Sequence, residues 1–287
     1  DSPVFVQNNE RLERLKALDI QVIVGNPPYS SGQDSANDDN ANESYPTLDA
    51  AIRDTYAARS TATNKNSLYD SYIRAIKWAS LRIADRGVVA FVTNGGWLDS
   101  NTADGMRLSL ADDFSDIYVL NLRGNGRTAG EQRKKEGGTV FGGGSRATVA
   151  VTVLVKDPNR SGPARIHYTD IGDYLSRDDK LAKTQAAQRF TGLEPVTHIV
   201  PNDAGDWINQ RRDDFTEFMV MGGTEDAVFS DFGPGPQTNR DAWVYNPSRD
   251  KLASNMAKAA RTYAQALRGT RSNDPTQIKW SSALETR

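Results

Sequence analysis

Asn26-Pro27-Pro28-Tyr29 is the segment whose residue types and order could do chemistry. Two consecutive prolines fix the backbone just after Asn26, so the Asn carboxamide oxygen and the Pro27 carbonyl are held as neighbouring acceptors, with the Tyr29 ring beside them. Such a pair suits a planar amine. An amino group conjugated with an aromatic ring is a poor nucleophile because its lone pair is delocalised. Two acceptors that bind its two hydrogens draw the nitrogen toward a tetrahedral shape and aim the lone pair, which is catalysis by orientation and electrostatics without a strong base. The same four residues also suit an ordinary turn, since Asn and Pro are common turn formers.

The surrounding elements favour the first reading. The apolar run Ile20-Gln21-Val22-Ile23-Val24, closed by Gly25, predicts a buried parallel strand that ends where Asn26 begins. In open α/β sheets ligands bind at that carboxyl edge. A short helix over 9–17, with Leu12, Leu15 and Leu18 on one side, precedes the strand, and a long polar loop with a helix near 48–58 follows it over 30–66. Leu68, Tyr72, Ile76, Ala79 and Ile83 form a helical stripe capped by Gly87, and Val88–Val92 reads as the next strand. Strand, helix and strand at this spacing make a parallel α/β unit.

A helix over 102–113, a strand over 117–122 and a strand over 147–155 come next. The 24 residues from Arg123 to Arg146 carry no helical stripe, so the two strands are expected to be antiparallel neighbours joined by a long loop. That loop holds Arg123, Arg127, Arg133, Lys134, Lys135 and Arg146 against Glu131 and Glu136, a local excess of positive charge suited to phosphate contacts or simply to solvent. A strand over 165–168 and a helix-like stretch near 172–185 form an appendix. Domains are expected over 1–188 and 189–287. Tyr45, Trp97 and Trp243 read as packing residues, and His167 as a strand residue.

Composition excludes several classes. Lys and Arg total 35 against 37 Asp and Glu, so no global field favours a polyanion. The absence of cysteine removes disulfides, zinc thiolates and thiol catalysis, and two isolated histidines make no metal site, so no metal is expected. No apolar run approaches the ~20 residues of a membrane span, and a cytoplasmic chain without membrane partners is expected. The chain starts at Asp1 without an initiator Met, which suggests a piece of a longer polypeptide.

The run VIVGNPPYSSGQ resembles the target-amine motif of methyltransferases that modify adenine N6 in DNA. The runs LYDSYIRAIKWAS, GVVAFVTNGGWLDSNTADGMR, NLRGNGRTAGEQRKKEGGTVFGGGSRATVAVTVLVK, IHYTDIGDYLSRDDKL and TNRDAWVYN resemble, in this order, the methyltransferase region of type ISP restriction-modification enzymes. Those are single polypeptides that join a nuclease, a helicase-like ATPase, an adenine methyltransferase and a target-recognition domain. The resemblance implies a Rossmann-like methyltransferase fold, a mixed sheet with a late antiparallel strand, followed by the start of a target-recognition region. It makes Asn26, Pro27, Pro28 and Tyr29 the catalytic residues. Leu68 falls on the element that walls the cofactor and base pocket. Phe141 matches the aromatic that packs against an extruded base, although it equally suits a loop aromatic tucked onto the core.

One departure matters. The Gly-rich turn and acidic residue that would hold S-adenosylmethionine belong before the target-amine motif, and nothing of that kind precedes Val22. The chain is therefore expected to carry the target-base half of the domain. S-adenosylmethionine would be the cofactor of the full-length parent, the chain alone being inactive and unable to hold it well. Implied partners are double-stranded DNA and the ATPase and nuclease domains of the same polypeptide. The rival readings are a DNA-binding specificity module without activity, and an amino methyltransferase acting on RNA or protein.

Overall fold

The computed structural model describes residues 6–28, 44–141, 146–212, 214, 217–222, 226–229 and 241–267. It divides into two compact units, Asp1–Arg212 and Asp213–Arg287. The first holds, in chain order, α1 (Val6–Ala17), β1 (Ile20–Gly25), α2 (Pro46–Ile52), α3 (Ser71–Arg82), β2 (Ile83–Asn94), α4 (Asp104–Asp113), β3 (Asp116–Arg123), α5 (Gly130–Glu136), β4 (Val149–Lys156), β5 (Arg165–Asp170), α6 (Arg177–Ala187) and β6 (Thr197–Ile199).

The six strands form one mixed sheet in the order β1-β2-β4-β3-β5-β6. β1 runs parallel to β2, and β3 parallel to β5. β4 lies antiparallel between β2 and β3, so it is the expected late antiparallel strand, and β6 is antiparallel to β5. The carboxyl ends of β1, β2, β3 and β5 therefore share one edge of the sheet.

Local chemistry sets the element ends. The Asp70 carboxylate caps α3 by accepting from Tyr72 N at 3.4 Å. Tyr72, Ile73, Ile76 and Ala79 bury one face of that helix in the main core. Ile83, expected as the last helical position, is instead extended and pairs with Ile20, so Gly87 lies inside β2 and caps nothing. β-branched Ile83 gains more as a strand residue opposite Ile20 than as a further helical turn. α2 continues as a π-helical turn over Arg53–Ala57, which accounts for the helix expected near 48–58.

Two other expectations are corrected. β1 is not buried: Val22 and Val24 are 64% and 74% exposed, while Ile20 and Ile23 pack on the core. It is an edge strand covered on one side among the described residues, and an apolar run cannot reveal whether a second layer is present. The segment after β3 is not a bare loop, since α5 forms within it.

The main core joins Ile52, Tyr56, Leu68, Trp97, Met106, Leu110 and Ile117 with Trp207. Trp97 and Trp207 meet edge to face at 5.3 Å. Beneath them Arg107, wholly buried, donates to Trp97 O, Ser100 O and Gly205 O at 2.8, 2.9 and 2.7 Å. These contacts and β6 join 189–212 to the first unit. Tyr45 is 48% exposed, with the Arg74 guanidinium over its ring at 5.6 Å. His167 lies in β5 as expected, stacked on Tyr118 at 4.3 Å.

The second unit contains α7 (Asp241–Val244) and α8 (Arg249–Leu267). Among the described residues no helix is long and apolar enough to cross a membrane, and no group of three His, Asp or Glu side chains could hold a metal ion.

Candidate functional site

Asn26, Pro27 and Pro28 follow β1 directly, at the carboxyl edge of the sheet. Asn26 and Pro28 are exposed and Pro27 is half-buried. Tyr29 lies outside the described residues.

Along the same edge β2 ends in Asn94-Gly95-Gly96. The Asn94 carboxamide accepts from Gly96 N at 2.9 Å and shapes a tight turn there. A polar cavity of about 670 Å³ opens between this turn and α5. Asn121, Arg123, Tyr168 and Asp170 are among its lining residues, as are Asn125, Gln132 and Lys135. Asp99, Glu136, Asp170 and Asp173 outnumber Arg123 and Lys135 along the lining. Neutral hydrogen-bonding groups and surplus carboxylates suit the polar edges of a ligand better than a bare phosphate.

Arg123 is the hub of the cavity. Its Nε reaches Asp170 Oδ1 at 2.8 Å, and Nη1 donates to Asp173. Burial alone would lower its pKa, but the hydrogen bonds and charges of the two carboxylates hold it above its ordinary value. Tyr168 donates to Asp170 Oδ2 at 3.1 Å and accepts from Asn121 Nδ2 at 3.0 Å. Burial pushes the Tyr168 phenol well up, which keeps it a neutral donor.

The other sequence-predicted residues separate by environment. Leu68 has no exposed surface and fills the core, so it supports the edge from behind. Val140 is buried and Phe141 half-buried against a second cluster with Leu120, Leu122, Val149 and Ile171. Arg133 donates to Gly137 O at the end of α5. Lys134 is 72% exposed and lies 3.3 Å from Glu131. Arg127 and Arg146 are exposed, and their segments are joined by Gly126 N donating to Arg146 O at 2.9 Å.

Sequence reasoning passed over Asn121, Tyr168, Asp170 and Asp173. Each stands within three residues of the end of β3 or β5, so the rule that ligands gather at strand carboxyl ends could have found them.

The model of the type ISP C-terminal specificity domain matches residues 227–287. A comparison with curated proteins returns no match. Solved structures give close ones. A nuclease-deletion mutant of the type ISP restriction-modification enzyme LlaGI, in complex with a DNA substrate mimic, is 40% identical with TM-score 0.87. The ATP-dependent type ISP enzyme LlaBIII bound to DNA is 40% identical with TM-score 0.88, and the DrdV–DNA complex 34% identical with TM-score 0.82. The matches cover 100%, 100% and 98% of this chain but 24%, 19% and 29% of those chains. Over its whole length the chain is thus similar to a segment of type ISP restriction-modification enzymes, spanning 24% and 19% of the LlaGI and LlaBIII chains, and its C-terminal segment matches their specificity domain.

Proposed function

We propose that this chain carries the target-base half of a Rossmann-like adenine-N6 DNA methyltransferase domain over its first unit, followed by the start of the target-recognition region. The observation that carries the reading is the position of Asn26-Pro27-Pro28, a proline-stiffened acceptor pair at the carboxyl end of a parallel strand. The relatives seen with DNA support double-stranded DNA as the partner. A helicase-like ATPase and a nuclease would act from the same cytoplasmic polypeptide.

In this reading the adenine leaves the duplex, and its N6 hydrogens are accepted by the Asn26 carboxamide and the Pro27 carbonyl, which localise the nitrogen lone pair. Tyr29 and Phe141 flank the ring. The polar cavity at the same sheet edge suits the edges of nucleotides next to the target. Arg127, Lys134, Lys135 and Arg146 meet phosphates, whereas Arg123, held by Asp170 and Asp173, organises the cavity.

S-adenosylmethionine would supply the methyl group in the parent enzyme. The described residues do not fit it by themselves: β1 presents the exposed side chains of Val22 and Val24, and no Gly-rich turn leads into it from the described residues. The adenosine and ribose contacts belong to other parts of the polypeptide.

The test is Asn26→Ala in the full-length enzyme. Losing one preorganised acceptor should slow methylation by ~2–4 kcal/mol of transition-state stabilisation, roughly thirtyfold to a thousandfold, with DNA binding retained. Near-normal turnover by the folded variant would sink the assignment.

A further inference from the structure

Helix α6 reaches across to the backbone that leads from α5 to Phe141. Lys180, with no exposed surface, donates from Nζ to Glu136 O and to Gly138 O, both at 2.7 Å. One turn earlier, Arg177 Nε donates to Val140 O at 2.9 Å. Main-chain bonds join the same pieces, Gly138 N to Leu175 O at 3.0 Å and Tyr174 N to Lys135 O at 3.1 Å. Close approach is possible because residues 137 and 138 are glycines: a Cβ would stand 2.1 Å from Leu175 O at the first and 2.4 Å from Arg177 N at the second. Gly137 also has φ +66°, which favours glycine.

A buried ammonium is costly, and an apolar side chain of similar length could fill the same volume without that cost. What the ammonium adds is direction. It ties the last carbonyl of α5 to a second carbonyl two residues on, across the turn, while Arg177 ties a third two residues further. Three alternate carbonyls are thus fixed from one helix, and the next residue is Phe141.

We propose that Lys180 is a positioning residue for the aromatic wall of the target-base site: by fixing the carbonyls of Glu136 and Gly138, with Arg177 on that of Val140, it sets where Phe141 stands. This rests on the reading of Phe141 as a base-packing residue. Lys180 acts only through the main chain. A residue that merely stabilises the fold affects all DNA substrates alike, whereas one that sets the aromatic wall acts on base extrusion, which is costly for a paired adenine and cheap for a mismatched one.

The experiment uses the full-length polypeptide and duplexes in which the target position is paired or mismatched. Extrusion is read from the fluorescence of 2-aminopurine at that position, and turnover from kcat/KM on adenine. Lys180→Met should raise the preference for mismatched over paired targets by on the order of tenfold, the scale of one lost stacking contact. Phe141→Ala should do the same. Lys183→Met removes a bond from the same helix to Ile171 O and should leave the preference unchanged. If Phe141→Ala shifts the preference and Lys180→Met does not, the positioning role is overturned while the base-packing reading stands. If Phe141→Ala leaves it unchanged, the base-packing reading fails and takes the proposal with it. Should Lys180→Met not fold, Arg177→Met carries the same comparison, and an unchanged preference there overturns the proposal.

Discussion

Lys134 and Lys135 stand side by side near the end of α5 but meet different surroundings, one exposed beside Glu131 and the other at the polar cavity. If both touch phosphates, neutralising them together should lower DNA affinity about equally for all sequences. The slope of log affinity against log salt should fall by roughly 2, each contact contributing ~0.9. Titrations of the full-length enzyme across a salt series measure this, and an unchanged slope would leave the two lysines as solvated surface charges. Asp206 shows how a buried carboxylate acts on stability. Arg211 binds it through two hydrogen bonds at 2.7 and 3.0 Å, and Arg107 lies 3.4 Å away. The Arg211 hydrogen bond outweighs the opposing effect of burial and holds its pKa below the ordinary 3.8. With the folded-state value depressed, the stabilisation is present above pH 3.8 and is lost as pH falls through the folded value. Asp206→Asn should therefore be less stable than the parent at neutral pH, and denaturant melts in a pH series should show that gap narrowing below 3.8.

At the scale of elements, α6 and the turn after α5 form a matched pair. Ser176 caps α6 reciprocally with Asp179, which fixes where the helix starts and so where Arg177 and Lys180 stand. The turn fits against this helix only without side chains at 137 and 138. Gly137→Ala should destabilise the protein by about 1–3 kcal/mol, because its Cβ meets a main-chain oxygen in a conformation that L-residues disfavour. Gly130 also has positive φ, but a Cβ there meets nothing within 4 Å, so Gly130→Ala carries only the conformational cost. Chemical denaturation of both variants tests the difference, and equal losses would mean that the contact with Leu175 O yields easily.

At the scale of the molecule, the open side of β1 sets what this chain can do by itself. Val22 and Val24 on the strand, and Trp78 and Leu81 on α3, are all at least 47% exposed. On the reading proposed above, the cofactor is held mainly by turns after the first strands of a Rossmann-like sheet, which this chain does not supply. Residues 1–287 alone should therefore bind S-adenosylmethionine weakly or not at all. Calorimetry giving micromolar affinity for this chain would mean that the cofactor site had been misplaced.

Much of the architecture was legible in residue order. Apolar runs and their spacing located β1 through β5, and the lack of an apolar helical stripe between β3 and β4 foretold that they would be antiparallel neighbours. The Asn-Pro-Pro segment could be placed at a strand's carboxyl end because proline stiffness and a preceding apolar run are both local properties. Burial was not legible in the same way. The run over β1 is apolar like that over β2, yet Val22 lies open while Val89 is wholly buried, because burial depends on how many layers cover a strand. Nor could sequence join Lys180 to the carbonyls of residues 136 and 138, or Arg107 to that of residue 205, since a side-chain bond to a distant main-chain oxygen leaves no periodicity behind. Local propensity determined which segments would be strands and helices. Only tertiary packing decided which polar groups would meet at the sheet's edge, because those meetings depend on strand order and on carbonyls whose positions no residue type encodes.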